Sequence, residues 1–184
     1  YDFAWCSIAA QSIGGDYIDL MTTDLGDIYA VVADASGHGI NSALLMSLFR
    51  STYRGDAPWM EPGELAASLN EEVVHEVGAT GMFITAVMLR IEKDSKRLTL
   101  TSAGHNPLML YRRSRGDVEL VESHGPPLGF VEGAAYATQN LTLESGDVQV
   151  LPLISERFDL SQGLEALERA GAPGVVKVLL DVQA

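Results

Sequence analysis

Ile28-Tyr29-Ala30-Val31-Val32-Ala33-Asp34-Ala35-Ser36-Gly37-His38-Gly39 is the stretch from which the rest of the chain is read. Its opening is a short, largely β-branched and apolar run that suits a buried strand. It closes on a carboxylate set among small residues. A similar setting occurs upstream in Ile13-Gly14-Gly15-Asp16-Tyr17-Ile18-Asp19, where Asp16 follows a glycine pair. A carboxylate at a strand end is rigidly aimed, and small neighbours let carbonyls and water crowd around the same point. Hard divalent cations require such oxygen-rich clusters. Either aspartate alone reads equally as a surface turn residue, since Asp is common in turns.

Outward from this stretch, residues 3–9 and 16–21 read as strands flanking the Gly14-Gly15 turn. Asn41 or Ser42 is placed to cap a helix through Arg54, with Leu45, Leu48, Phe49 and Tyr53 on one face. Glu61-Pro62 opens a second helix, in which Leu65, Leu69, Val73 and Val77 recur every four residues and which Gly78 ends. Residues 83–91 are apolar at nearly every position, as in a strand covered on both faces. Segments 98–103, 108–111, 118–121 and 141–143 read as further strands. Strands, then two helices, then more strands predict an α+β fold.

The 184 residues are 47% hydrophobic and 20% charged, enough for one good core. No apolar run approaches the roughly 20 residues of a membrane span, and no signal-like leader is present. The sole cysteine, Cys6, reads as a small buried hydrophobe in a reducing cytoplasm. A net charge of −13 argues against nucleic acid as a partner. One cysteine and four scattered histidines lack zinc-type spacing, and no GxxxxGK phosphate loop occurs. The absence of an initiator methionine suggests a domain cut from a longer polypeptide, with an upstream sensor segment missing.

Gly14-Gly15-Asp16-Tyr17 and Asp34-Ala35-Ser36-Gly37-His38-Gly39 followed by Ser42-Ala43-Leu44-Leu45-Met46 belong to an ordered series of motifs. It continues in Met82-Phe83-Ile84-Thr85, Ala103-Gly104-His105-Asn106-Pro107, Pro127-Leu128-Gly129 and Leu143-Glu144-Ser145-Gly146-Asp147. The series resembles the PPM-type protein serine/threonine phosphatases of the SpoIIE/RsbU branch over about residues 1–147. The resemblance implies two packed antiparallel β-sheets flanked by helices, an α/β/β/α sandwich that is here C-terminally incomplete. It implies hydrolysis of phosphoserine or phosphothreonine in a protein by water activated between two Mn2+ or Mg2+ ions. Asp16 would be a carboxylate ligand of one metal, Asp34 would bridge both, and Ala35 would offer its backbone carbonyl. Gly37 and Gly39 would free the backbone for the turn into the helix. His38 reads as a turn hydrogen-bonder, His105 as shaping a strand-to-strand turn, and His75 as exposed. Asp19 is open between a supporting role behind the metal and a plain surface strand position. The branch's typical substrate, a phosphorylated antagonist of an anti-sigma factor, is implied in the same way.

Beyond residue 147 the resemblance changes. The family's later aspartate motifs, which hold the other metal, have no counterpart in Val148-Gln149-Val150-Leu151-Pro152-Leu153-Ile154-Ser155-Glu156-Arg157-Phe158. Segment 150–182 instead resembles the carboxyl end of medium-chain, zinc-type alcohol/threonine dehydrogenases, through this stretch, the helix-patterned Leu164–Ala170 and the closing Val175–Leu180. A fusion of unrelated fragments near residue 148 is expected, giving a partial phosphatase domain (1–147) and a tail (148–184). A divergent phosphatase terminus is the alternative. One metal is then expected to be retained, and a noncatalytic remnant that binds a metal or a protein partner stands as the rival to an active enzyme.

Overall fold

A computed structural model describes residues 15–122, 124–144, 147–150, 156–159 and 178–181. The strand expected over 3–9, Cys6 and the helix expected over 164–170 lie outside the described residues. The central sheet has the order β1-β2-β3-β4-β7, antiparallel throughout, from Asp16–Thr22, Ile28–Ala35, Ile84–Ile91, Arg97–Ala103 and Gln139–Thr142. A second antiparallel sheet has the order β6-β5-β8, from Asp117–Val121, Leu108–Arg112 and Val148–Val150.

Both faces of the central sheet are covered, and strand alternation explains how. On β2, Tyr29, Val31, Ala33 and Ala35 join Ile84, Ala86 and Met88 of β3 in a core beneath two helices. The alternate residues Ala30, Leu89 and Ile91 belong to a second core with Leu98, Leu100, Leu108, Leu110 and Val121, between the sheets. This is why β2 and β3 read as continuous apolar runs. Helix α1 (Ile40–Asp56) buries Leu45, Phe49 and Tyr53, and α2 (Pro62–Val77) buries Leu65, Leu69, Val73 and Val77, as their four-residue repeats predict. Pro62 opens α2 and Gly78, at φ 47°, closes it.

The described residues thus form three layers, helices on sheet on sheet. The second helical layer of the expected α/β/β/α arrangement has no counterpart among the described residues. One local expectation is corrected. Neither Asn41 nor Ser42 caps α1; Gly39 occupies the cap position with φ 81°, and the buried Ser42 hydroxyl donates to the Gly39 carbonyl at 2.9 Å. The glycine-permitted turn starts the helix two residues earlier than an Asn41 cap would and three earlier than a Ser42 cap would.

Two short strands, β9 (Glu156–Asp159) and β10 (Val178–Asp181), pair parallel with each other. Their sheet shares no strand with the other two. β8, just past residue 147, is part of the second sheet.

Candidate active site

Pairing of β1 with β2 sets Asp16 directly opposite Asp34. Tyr17 packs on the helix-side core and Leu20 on the inter-sheet core, so Asp16 shares the Leu20 face. Ala33 and Ala35 lie in the helix-side core, which turns Asp34 to the same side as Asp16. Both aspartates are exposed. Like charges directly across an antiparallel pair are destabilising, and a cation between them reverses the sign of that interaction.

Gly15 brings the backbone into the site. Its carbonyl accepts the Ala35 N–H at 3.1 Å. A Cβ at Gly15 would sit 2.8 Å from the Ala35 carbonyl oxygen and 3.2 Å from the Ser42 Cβ, so only glycine permits this approach. The structure therefore brings Asp16, Asp34 and the Ala35 carbonyl together from two adjacent strands. Two carboxylates and a carbonyl form a hard oxygen set of the kind divalent magnesium or manganese accepts. Among the described residues, no group of three or more Asp, Glu, His or Cys side chains forms a metal cluster.

The row continues onto β3, where Thr85 is the register partner of Asp34. Its hydroxyl lies 2.9 Å from Nδ1 of His105, which is buried in the turn after β4. His105 thus shapes a strand-to-strand turn and also reaches the third place in the carboxylate row, which sequence reading missed. Downstream of Asp34, the Ser36 N–H donates to the Phe83 carbonyl at 2.8 Å, and the Phe83 N–H donates back to the Ser36 hydroxyl at 2.9 Å. Gly37 and Gly39 carry φ of 87° and 81° in this loop, as a turn into α1 needs. His38 and His75 are exposed.

Asp19 belongs to the opposite face. It accepts hydrogen bonds from Arg54 Nε and Nη2 at 2.6 and 2.8 Å and one from the Tyr17 hydroxyl. Arg54 holds the Asp19 carboxyl below its ordinary range. Burial, reinforced by the bond to Asp19, pushes the Tyr17 phenol up to about 12. Asp19 therefore ties β1 to the last turn of α1 and leaves the Asp16–Asp34 row to other residues. Asp159 and Asp181 are register partners of each other in the β9–β10 pair. Asp147, whose side chain is almost fully buried, accepts from Arg112 Nη1 at 2.9 Å and from the Glu144 and Arg113 N–H groups, bracing the turn into β8.

Comparison with known proteins agrees with the fold. The family model described as "Stage II sporulation protein E (SpoIIE)" matches residues 24–152, a span that contains Asp34 and Ala35 and begins after Asp16. The phosphoserine phosphatase RsbU of Bacillus subtilis (strain 168) is 31% identical over 153 residues, covering 82% of this chain and 44% of that protein. The chain thus spans less than half the length of that curated relative. Among solved structures, the RsbU and RsbW domains of Rv1364c from Mycobacterium tuberculosis superpose with a TM-score of 0.67 at 22% identity, over 88% of this chain and 47% of that one. RsbX in complex with magnesium gives 0.63 at 20% identity, over 74% of this chain and 64% of that one.

Proposed function

This chain belongs to the SpoIIE family, and on that premise we propose that it is a metal-dependent protein phosphatase acting on phosphoserine or phosphothreonine. Its setting is the bacterial cytoplasm, in partner-switching signalling, with a phosphorylated antagonist of an anti-sigma factor as the substrate class. The observation that carries the reading is the register of Asp16 against Asp34, with the Ala35 carbonyl held beside them through Gly15. The relative named as a phosphoserine phosphatase supports catalysis over a noncatalytic remnant.

Asp16, Asp34 and the Ala35 carbonyl would hold one Mn2+ or Mg2+; the magnesium complex of the RsbX neighbour is consistent with that choice. When bound, the cation supplies Lewis acidity and charge neutralisation for attack of water on phosphorus. The protein's part is placement. Gly15 fixes the spacing of β1 and β2, the Asp19–Arg54 pair anchors β1 to α1, and the Ser36–Phe83 bonds fix the loop after Asp34. Residues 148–184 are proposed as a region apart from the phosphatase domain. The separate pairing of β9 with β10 supports that division, while β8 (Val148–Val150), at its start, pairs with β5 in the second sheet.

The test is hydrolysis of a phosphoserine peptide in Mn2+, abolished by chelation and by Asp34→Asn. Calorimetry should give a stoichiometry near one ion per chain. Unchanged metal binding by Asp34→Asn would remove the site.

A further inference from the structure

A buried asparagine in α2 holds the loop that sets an exposed aromatic residue against Phe83, the backbone partner of Ser36. Asn70 is fully buried. Its Nδ2 donates to the Val131 carbonyl at 2.9 Å, and its Oδ1 accepts the Gly129 N–H at 3.0 Å and the Tyr136 hydroxyl at 3.1 Å. Next to it, Glu71 accepts the Gly133 N–H at 2.9 Å. A buried amide is costly unless every polar atom is matched, so the loop from Gly129 to Gly133 is held in one form. That form presents Phe130 at 68% exposure and Val131 at 46%. The Phe130 ring lies edge-on to Phe83, centroids 6.2 Å apart at 85°. Phe83 is in turn bonded both ways to Ser36, two residues after Asp34.

From this continuity between the exposed Phe130, the half-buried Phe83 it packs on and the loop after Asp34, we propose that Phe130 and Phe83 form a docking surface for the phosphoprotein segment flanking the phosphorylated residue. This rests on the phosphatase reading above. Phe83 meets Ser36 two residues past Asp34, and extended chain advances about 3.3–3.6 Å per residue, so the apolar side chain is sought about two to four positions from the phosphoserine. Exposed acids flank the loop, Glu132 within it and Glu71 beneath it, in a chain of net charge −13. The segment that fits carries an apolar side chain followed by Lys or Arg.

The experiment compares kcat/KM for three synthetic phosphoserine peptides: one flanked by glycine, one carrying Leu at positions two to four, and one carrying Leu with Lys. Wild type should favour the Leu peptide over the Gly peptide by about tenfold, the gain expected from burying one leucine on an aromatic surface, and the Leu-Lys peptide further still. Phe130→Ser should bring the ratio near one, and Phe130→Leu should keep most of it. The side chain is exposed, so melting temperatures of the variants should match wild type. Hydrolysis of the Gly peptide with no preference for Leu would overturn the docking surface and leave the phosphatase reading standing. No hydrolysis of any peptide would sink both. A wild-type dimer that Phe130→Ser dissolves would assign the surface to a second copy of the chain and overturn the proposal.

Discussion

The two ends of the β1–β2–β3 sheet treat charge in opposite ways. At one end Asp16 faces Asp34 across the strands. At the other, Asp27 accepts Arg90 Nε and Nη2 at 3.2 and 2.8 Å and the Lys93 N–H at 3.2 Å. The same guanidinium reaches Glu61 at 3.1 Å and lies 5.7 Å from the centre of the Tyr29 ring. The Asp27 end is neutralised from within and needs nothing more. The Asp16 end sets two carboxylates opposite each other, the arrangement proposed above to take a cation. The same three strands thus carry an end braced by Arg90 and the end proposed as the site.

The sharpest way to break this contrast is Asp34→Asn. Turnover of a phosphoserine peptide should fall at least on the order of 10²-fold, as when a preorganised electrostatic group is removed. The metal-free melting temperature of the variant, measured beside turnover, separates loss of the proposed metal ligand from loss of the fold; a collapse of the fold without metal would make Asp34 structural. Next in size, Mn2+ at 100 times its Kd should stabilise wild type by about 2.7 kcal/mol. Denaturant titration should show that gain lost in Asp34→Asn and retained in Arg90→Ala.

Gly15→Ala separates spacing from charge. The new Cβ meets the Ala35 carbonyl at 2.8 Å, so β1 must retreat, at a cost of about 1–3 kcal/mol typical of overpacking. Mn2+ titration should shift to weaker binding although every ligand atom remains. The smallest effect is expected at the neutralised end. Arg90→Ala should cost about 1–2 kcal/mol, as for a part-exposed charged hydrogen-bond pair, with turnover unchanged. The hydrogen bond from Arg90 holds the Asp27 carboxyl below its ordinary value of 3.8. Its stabilisation is therefore complete above that value and is lost as pH falls through the lower folded-state value. Urea midpoints of wild type and Arg90→Ala should converge below pH 3.8; a constant gap would place the stabilisation elsewhere.

Much of this was legible in the chain. The four-residue repeats of both helices and the apolar runs of β2 and β3 mark elements whose burial repeats in sequence. Motif order pointed to Asp16, Asp34 and Ala35 as the ligands proposed here. What the sequence could not show is set by pairing. Asp16 and Asp34 become opposite only through strand register, and the alternation that joins them sends Asp19 to the other face to meet Arg54. Thr85 and His105 meet across a turn. Asn70, a polar residue among the inward positions of α2, was the one visible trace of the loop clamp. The Gly39 start of α1 was missed because a favourable side-chain cap two residues on looked sufficient.

Strand order also bears on how the molecule assembles. β1 through β4 are sequential neighbours, while β4 ends at Ala103 and waits for β7 at Gln139. Nearby contacts close with less entropy lost than distant ones. The opposed aspartates are therefore expected to come together before the second sheet is complete. Divalent cation present during folding would then meet the proposed ligands on a half-built protein, and refolding with and without Mn2+ should differ first in the β1–β4 segment.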